Sequence, residues 1–467
     1  MIKHTTLATA IALGLSGCMS LAPTYQRPAA PVAGAFPQLA PAVQGEAAAQ
    51  IGWQRYFPDA RLQQLLTRAL ANNRDLRVAI LNIEQARAQY QIRRADQFPT
   101  VGLGVSGSRV TTGDDGIKSS YSAGLTVSAF ELDLFGRVRK LSEAALAQYL
   151  ATEEARKSAQ ISLVASVANT YLTLLADEEL LALTDQTLAA RIESLKLVQL
   201  KYDNGVVSKL DLQQALSLVD SARVTQAQQQ RLRAQDINLL TLLVGQPLDA
   251  SPAAGATLAG TTLAELPAGL PSDLLTVRPD IRASEQQLIA ANANIGAARA
   301  NFFPRISLTG AAGSASSALS GLFKSGSFGW TFAPQMVLPL FDFGRNSANL
   351  GAAKAGRDIA VAQYERAIQS AFREVADALA GQATYGEQLR AQRAVADAEQ
   401  ERFKLSDLRY RSGAASYLDL LDAQRSLFAA QQAAVQANLQ RLQNQVTLYR
   451  VLGGGWVNQA TANAHAE

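Results

Sequence analysis

The sequence predicts a mainly α-helical protein with a smaller β part, in which one arrangement of elements occurs twice. Residues 137–204 contain no glycine or proline and are rich in helix formers, which predicts a continuous helix of about 100 Å. Residues 101–110 and 121–134 alternate in side-chain character, which predicts two β-strands. A motif around residue 205 returns 208 residues later, which indicates an internal two-fold repeat.

The composition of the 467-residue chain excludes several classes of function. Charged residues make up 18%, the net charge is +4, and no basic block suggests nucleic-acid binding. The two histidines, His4 and His465, lie at the ends, and Cys18 is the only cysteine. Ser–His and Cys–His catalysis and most transition-metal sites are thereby excluded. We predict that the protein is not an enzyme and has no catalytic residue, metal site or dissociable cofactor.

The N-terminus has the features of a secretory signal. Lys3 precedes an apolar run at 7–15, which is too short to span a membrane as a helix. The segment Leu15-Ser16-Gly17-Cys18 resembles the signal of bacterial lipoproteins, in which the cysteine is lipidated; an ordinary signal with an incidental cysteine is the alternative. We predict a signal peptide at 1–17 and a lipidated, proline-rich tether at 18–58.

The body of the chain is a tandem duplication. Phe135-Gly136-Arg137 recurs as Phe343-Gly344-Arg345, and further upstream, at an offset of 205, Phe98-Pro99 corresponds to Phe303-Pro304. We predict a first repeat at 59–245, a proline- and glycine-rich linker at 246–272, a second repeat at 273–453 and a C-terminal tail at 454–467. Two homologous halves imply a pseudo-twofold relation between them.

Each half has the same order of parts. A helix from about residue 75 to 97 is stopped by Pro99, and two strands follow, with a turn predicted at 112–118. In the second half the strands are predicted near 306–308 and at 328–340, although Pro334 and Pro339 weaken the last strand. Two apolar stripes between 171 and 202 predict that the long helix contacts a neighbour on both sides; a long antiparallel coiled coil is the alternative.

Tight reversals join the long helices to the helices that follow. Gly205 is suited to the left-handed position after a helix, and Ser208 with Asp211 predicts a capping box at the start of the next helix. Gly413, Ser416 and Asp419 repeat this pattern in the second half.

The four strands of one chain cannot close a membrane barrel, which needs about eight. The strands are therefore either outside the membrane or shared among several chains.

Several motifs, in this order, resemble the outer-membrane efflux channels of the TolC and OprM type, and in particular their NodT-like lipoprotein branch. They are residues 21–28 behind Cys18, Trp53 with Phe57 and Asp59, Arg278–Ile281, Phe302–Pro304, Leu340–Arg345 and Leu452–Trp456. The resemblance covers essentially the whole mature chain. It implies a homotrimer with a twelve-stranded β-barrel in the outer membrane and a twelve-helix α-barrel in the periplasm. It also implies two partners, a periplasmic adaptor and an inner-membrane transporter of the RND type.

The resemblance also assigns residues at the periplasmic tip. It implies that Asp419 and Asp422 form an acidic pore constriction and that Asp211 and Tyr410 hold the tip closed. In a trimer the aspartates would form a ring of six carboxylates, whose mutual repulsion should raise their pKa values and favour cations. For Asp211 and Asp419 the capping boxes are a sufficient alternative explanation. Two further candidates, Arg409 and Arg411, either compensate the acidic charge or are simply solvated.

Three functions remain to be compared on this basis. The first is a passive exit duct of a tripartite efflux system for small molecules such as drugs, the second a channel for type I protein secretion, and the third a non-conducting periplasmic coiled-coil lipoprotein.

The segment Gly102–Gly107 matches the dinucleotide fingerprint G-x-G-x-x-G, but a helix precedes it and a strand contains it, so that nucleotide binding is not predicted.

Overall fold

The computed structural model describes residues 20–36, 47–111, 116–248, 253, 255–264, 266 and 274–456. Its main elements are α1 (Ala60–Asn72), α2 (Arg74–Ala95), β1 (Val101–Thr111), β2 (Ile117–Leu132), α3 (Arg137–Asp203), α4 (Lys209–Val244), α5 (Pro279–Ala300), β3 (Arg305–Ser316), β4 (Phe328–Val337), α6 (Arg345–Arg411) and α7 (Tyr417–Val451). Short helical turns lie at Ala48–Gln50, Trp53–Tyr56, Leu274–Val277 and Leu319–Gly321. The predicted signal peptide and Cys18 lie outside the described residues.

The bounds of the helices confirm the internal repeat. Helices α3 and α6 each have 67 residues and begin at the arginine of the recurring Phe-Gly-Arg motif. Helices α2 and α5 each have 22 residues. The long helix predicted at 137–204 is confirmed and ends at Asp203. Helix α6 reaches the same length although it contains four glycines, because tertiary packing outweighs intrinsic helix propensity.

The four strands form one antiparallel sheet in the order β1-β2-β3-β4, so that β2 and β3 join the two hairpins. The outer edges of the sheet are β1 and β4. Pro334 lies inside β4, opposite Leu308. An edge strand tolerates proline because the proline nitrogen faces the unpaired side of the ladder.

Three predicted strand limits are wrong. Strand β2 begins at Ile117, because Ile117 and Lys118 pair with Thr111 and Val110, so that the predicted turn at 112–118 is too long. Strand β2 also ends at Leu132 instead of residue 134. The Asp133 carboxylate there accepts hydrogen bonds from two amides of the first turn of α3, at 3.0 and 2.8 Å, and so begins the helix. Strand β4 ends at Val337, three residues before the predicted end.

The chain divides into two compact units, each of which contains parts of both repeats. The first consists of the segment up to Ala30, Leu81–Glu154 and Ala283–Ala367, and it contains the sheet. The second consists of Pro31–Ile80, Ala155–Arg282 and the segment from Ile368 onward, and it contains both helix reversals.

The two units have different cores. In the first unit small side chains allow helices to approach closely: Ala144 and Ala147 of α3 pack against Ala290 and Ala293 of α5. In the second unit the predicted stripes of α3 are buried between residues 171 and 175. Both stripes are covered there, as a helix with neighbours on two sides requires. An 18-residue window of α3 has a mean hydropathy of 1.3, enough by composition to cross a membrane, but 72% of it is buried inside the chain.

Candidate functional site at the two helix reversals

Both helix reversals have the geometry that the sequence predicts. Gly205 and Gly413 take positive φ angles of 74° and 75°. After Gly205, the Val206 amide donates to the carbonyl oxygen of Lys201 at 2.8 Å; after Gly413, the Ala414 amide donates to that of Arg409 at 2.8 Å. These bonds form the Schellman motif, which satisfies the last carbonyl groups of α3 and α6.

Reciprocal capping boxes start α4 and α7. The Ser208 amide and hydroxyl donate to the Asp211 carboxylate at 3.0 and 2.7 Å, and the Asp211 amide donates back to the Ser208 hydroxyl at 3.2 Å. Ser416 and Asp419 make the same three bonds at 3.1, 2.8 and 3.2 Å. Both aspartates therefore have a structural role within one chain.

The capping box affects the ionisation of Asp419. The hydroxyl and the amide of Ser416 both donate to its carboxylate, and together they lower the pKa of Asp419; the positive charge of Arg409 acts in the same direction. Within one chain, these contacts therefore favour the ionised form of Asp419. The raised pKa values predicted for a ring of six carboxylates concern neighbouring copies and stay a prediction.

An apolar cluster joins the two reversals. It contains Val198, Leu212, Ala215, Leu218, Tyr410, Tyr417, Leu420 and Leu421, drawn from all four long helices. The rings of Tyr410 and Tyr417 lie with their centroids 5.5 Å apart at 54°. The two helical hairpins are thus packed together at the tip by side chains from both repeats.

Tyr410 is buried in this cluster, and its hydroxyl makes no hydrogen bond with the described residues. The Lys201 ammonium lies 4.1 Å from the centre of its ring, which is a cation–π contact. The Asp211 carboxylate is engaged by Ser208. Within one chain, therefore, Tyr410 does not bind Asp211, and a bond of this kind between copies stays a prediction.

Asp422 forms an ion pair that the sequence analysis missed. Its carboxylate accepts a hydrogen bond from the Arg402 guanidinium, which also contacts Glu399 at 3.1 Å. The bond to Asp422 is the largest cause of a raised pKa for Arg402. Arg402 lies seven residues before Arg409 and hence on the same face of α6, but no sequence pattern indicates that it pairs with Asp422 of α7.

The arginines of the tip differ in their partners. The Arg409 guanidinium lies 3.5 Å from the carbonyl oxygen of Ala414 and acts electrostatically on Asp419. Arg411 pairs with Asp407 of its own helix at 2.8 Å. A groove of about 630 Å³ brings Arg402 and Arg409 together with both candidate constriction residues. Arg411 is not among the residues that line this groove.

A second acidic pair lies on α3 and α4 in the second unit. Burial and the repulsion of Asp177 raise the pKa of Asp236 to about 7, and burial raises the pKa of Asp177 as well. Next to this pair, Glu178 and Arg233 form an ion pair at 3.1 Å. The sequence carries no signal for the pair, because its members are far apart in the chain.

The N-terminal tether is bound where it is described. Arg27 forms a bidentate ion pair with Glu285 of α5 at 2.7 and 2.9 Å, and Tyr25 donates to the same carboxylate at 2.9 Å. Asn292 and Arg299 donate to the carbonyl oxygens of residues 23 and 21, at 2.8 and 2.9 Å. This segment is therefore docked along α5, which its proline-rich composition did not reveal.

The described residues contain no cluster of three or more side chains that could hold a metal ion.

Comparison with known proteins gives consistent matches over nearly the whole chain. A sequence model described as outer membrane efflux protein matches residues 65–246 and 270–454. The toluene efflux pump outer membrane protein TtgC of Pseudomonas putida is 51% identical, over 98% of this chain and 97% of its own length. The outer membrane protein OprJ of Pseudomonas aeruginosa is 47% identical, over 96% and 95%.

Solved structures agree with these matches. The open state of the MtrE outer membrane channel of Neisseria gonorrhoeae is 42% identical, with a TM-score of 0.87 over 94% of this chain and 99% of that chain. A membrane protein from Pseudomonas aeruginosa is 46% identical, with a TM-score of 0.88 over 94% and 98%.

Proposed function

Because this chain belongs to the outer membrane efflux protein family and is an outer-membrane efflux channel that extends into the periplasm, we propose that three copies enclose its duct. Each copy contributes its four-stranded sheet to one β-barrel and its long helices to one α-barrel. The duct is a passive conduit, and the energy for export comes from partner proteins.

The open sheet of the single chain is the observation that carries this proposal. Among the strands of the described residues, β1 and β4 lie at the two edges, and each leaves one side of its ladder unpaired. Apolar side chains on both strands are exposed, among them Leu103, Val105, Trp330 and Phe332. Lipid tolerates exposed apolar residues but not unpaired backbone groups, so that the edges must pair with further copies.

The names of the relatives support a proposal for the cargo and the partners. Relatives are named for the efflux of toluene, solvents and antibiotics. We propose that this channel likewise exports small toxic compounds and that it works with a periplasmic adaptor and an inner-membrane transporter of the RND type. A lipid on Cys18 anchors each copy, and no other cofactor takes part.

The tip is the site of control in this proposal. The two reversals form its end, and Asp419 and Asp422 of each copy supply the acidic constriction, with Tyr410 and Asp211 as gate residues. Arg402 neutralises part of the charge of Asp422, and Arg409 part of that of Asp419. A ring of aspartates with partial compensation favours cations without binding them tightly.

Planar-bilayer recording of the purified protein tests the proposal. A duct produces discrete conductance steps and a reversal potential that indicates cation selectivity in a salt gradient. Absence of conductance from correctly folded, membrane-inserted protein would support the non-conducting lipoprotein instead. Complementation of a channel-deleted host separates the two duct functions, since restored drug tolerance supports efflux and restored release of a secreted protein supports type I secretion.

A further inference from the structure

The two faces of the four-stranded sheet differ in chemistry. The register places Leu103 of β1, Leu125 of β2 and Trp330 of β4 on one face, which carries the large apolar side chains. Because successive side chains of a strand alternate between the faces, the other face carries small and polar residues, such as Thr126 and Ser307. Lipid favours the apolar face, so that in the proposed β-barrel the polar face is turned to the bore.

The polar face ends in a pocket at the base of the sheet. Glu131 pairs with Ser307 and therefore lies on this face, as do Arg305 and Val337, which pair with each other. These three strand residues line a pocket of about 450 Å³ together with residues at the starts of α3 and α6. This volume is typical of sites for small organic ligands. In the proposed assembly the pocket lies in the wall of the bore.

Part of the pocket wall is apolar and partly aromatic. The ring of Phe303 stacks on that of Phe135, with the centroids 4.7 Å apart at 20°. Pro304, Val337 and Pro339 add further apolar surface to the wall. Phe303 remains 40% exposed, so that an aromatic ligand can pack against it.

The carboxylates of the pocket are all engaged by groups of the same chain. Glu131 is held by Arg137 in a bidentate ion pair at 2.8 and 2.6 Å, and Arg305 approaches it at 3.4 Å. Asp342 accepts hydrogen bonds from two backbone amides that follow it in the chain, at 3.0 and 2.9 Å. Asp133 caps α3 in the same way. These acids therefore leave part of the positive charge of the pocket without a partner.

The available positive charge is on Arg345 and Arg305. The Arg345 guanidinium lines the pocket and makes no hydrogen bond or ion pair with the residues that the structure describes. The Arg305 side chain is 56% exposed and contacts Glu131 only through the long 3.4 Å approach. A guanidinium group binds a carboxylate through two parallel N–H···O bonds, so that the pocket combines an apolar wall with donors for an acidic group.

We propose that this pocket binds small aromatic carboxylates, with the ring against Phe303 and Pro339 and the carboxylate on Arg345 and Arg305. This inference rests on the proposed function, which supplies the bore, and it adds aromatic acids to the classes of cargo. Several copies present several such pockets at one level of the bore. Organic anions thus have a binding place in a duct whose constriction carries the opposite charge.

Equilibrium dialysis of the full-length protein in lipid nanodiscs tests the pocket, with 2-naphthoate as the probe and its neutral amide, 2-naphthamide, as the matched ligand. Empty nanodiscs correct for partition into lipid. Two exposed ion pairs each raise an affinity by a factor of up to about five, so the acid should bind roughly 5- to 25-fold more tightly than the amide at low salt. This preference should decrease in about 1 M salt, because the charges are then screened.

Arg345→Gln is the main variant, because it removes a guanidinium that has no partner among the described residues. It should lower the affinity for the acid by up to about fivefold and leave that for the amide unchanged. Arg109→Gln is the matched control, since Arg109 lies on the apolar face of the sheet and its loss should change neither affinity. Val337→Trp fills the pocket from an exposed position and should weaken the binding of both ligands.

Equal affinities of the wild type for acid and amide would overturn the pocket. So would an equal loss of acid binding in Arg109→Gln and Arg345→Gln, or unchanged binding in Val337→Trp. Bilayer recording of the same preparation separates this inference from the proposed function. A protein that conducts but does not prefer the acid refutes the pocket alone, and a protein that prefers the acid but does not conduct refutes the duct and leaves the pocket as a binding site.

Discussion

Replacing Gly413 by alanine isolates the conformational cost of the second reversal. Gly413 has a φ of 75°, and its amide donates to the carbonyl oxygen of Tyr410 at 3.1 Å. Within the described part of the chain, no heavy atom lies within 4 Å of the position that a Cβ would take, so the substitution causes no clash there. The left-handed conformation itself costs a residue with a side chain about 1–2 kcal/mol. This corresponds to roughly a 5- to 30-fold increase in local opening of the turn.

Hydrogen exchange followed by mass spectrometry measures this opening. The amide of Ala414, which closes the Schellman motif, should exchange faster in Gly413→Ala by roughly the 5- to 30-fold that this conformational cost implies. Gly386→Ala is the matched control, because Gly386 lies inside α6, also with open space around it. Alanine there should stabilise the helix by about 0.5–1 kcal/mol. Equal exchange at the reversal in wild type and Gly413→Ala would refute the reasoning, as would equal responses of the two variants.

Three further predictions concern charged and polar groups. Replacing both Asp419 and Asp422 by alanine should lower the cation selectivity in bilayer recordings, and an unchanged reversal potential would exclude the aspartates from the constriction. Tyr410→Phe should raise the resting conductance if the hydroxyl binds Asp211 of a neighbouring hairpin; a channel as tightly closed as wild type would show that Tyr410 acts through packing alone. The raised pKa of Asp236, about 7, means that the folded state favours the protonated acid, so stability should fall as the pH rises from about 4 through 7. Asp236→Asn should flatten this dependence in thermal melts at pH 5 and pH 8, and a melt that keeps the wild-type pH dependence would contradict the assignment.

Local sequence signals predicted the elements that depend on local interactions. The start of α3 and its end at Asp203 were predicted to within one residue, because a tract free of glycine and proline leaves few alternatives to a helix. Both reversals were predicted in type and position, since a Schellman glycine and a capping box involve only neighbouring residues. The start of β2 was predicted less accurately, because Ile117 and Lys118 belong to the strand through backbone pairing with Thr111 and Val110, and this pairing depends on the partner strand.

Contacts between distant segments could not be predicted in this way. The pairing of Arg402 with Asp422 joins two helices across a reversal, and the docking of Arg27 on Glu285 joins segments 258 residues apart. Neither contact has a pattern in the sequence, because each depends on where two helices lie in space. The same holds for Tyr410, which is buried in the apolar cluster and has no hydrogen-bond partner for its hydroxyl among the residues that the structure describes.

The sequence by itself determined the duplicated order of helices and strands, the length of the long helices and the chemistry of their turns. All of these arise from propensities and hydrogen bonds between residues close in the chain. Only the tertiary structure decided which faces of the two repeats cover each other and which stay open, because burial is settled by the packing of whole elements. Phe135 and Phe303, for example, stack on each other, whereas the equivalent residues Phe343 and Phe98 are exposed. The repeated sequence motifs do not show this difference.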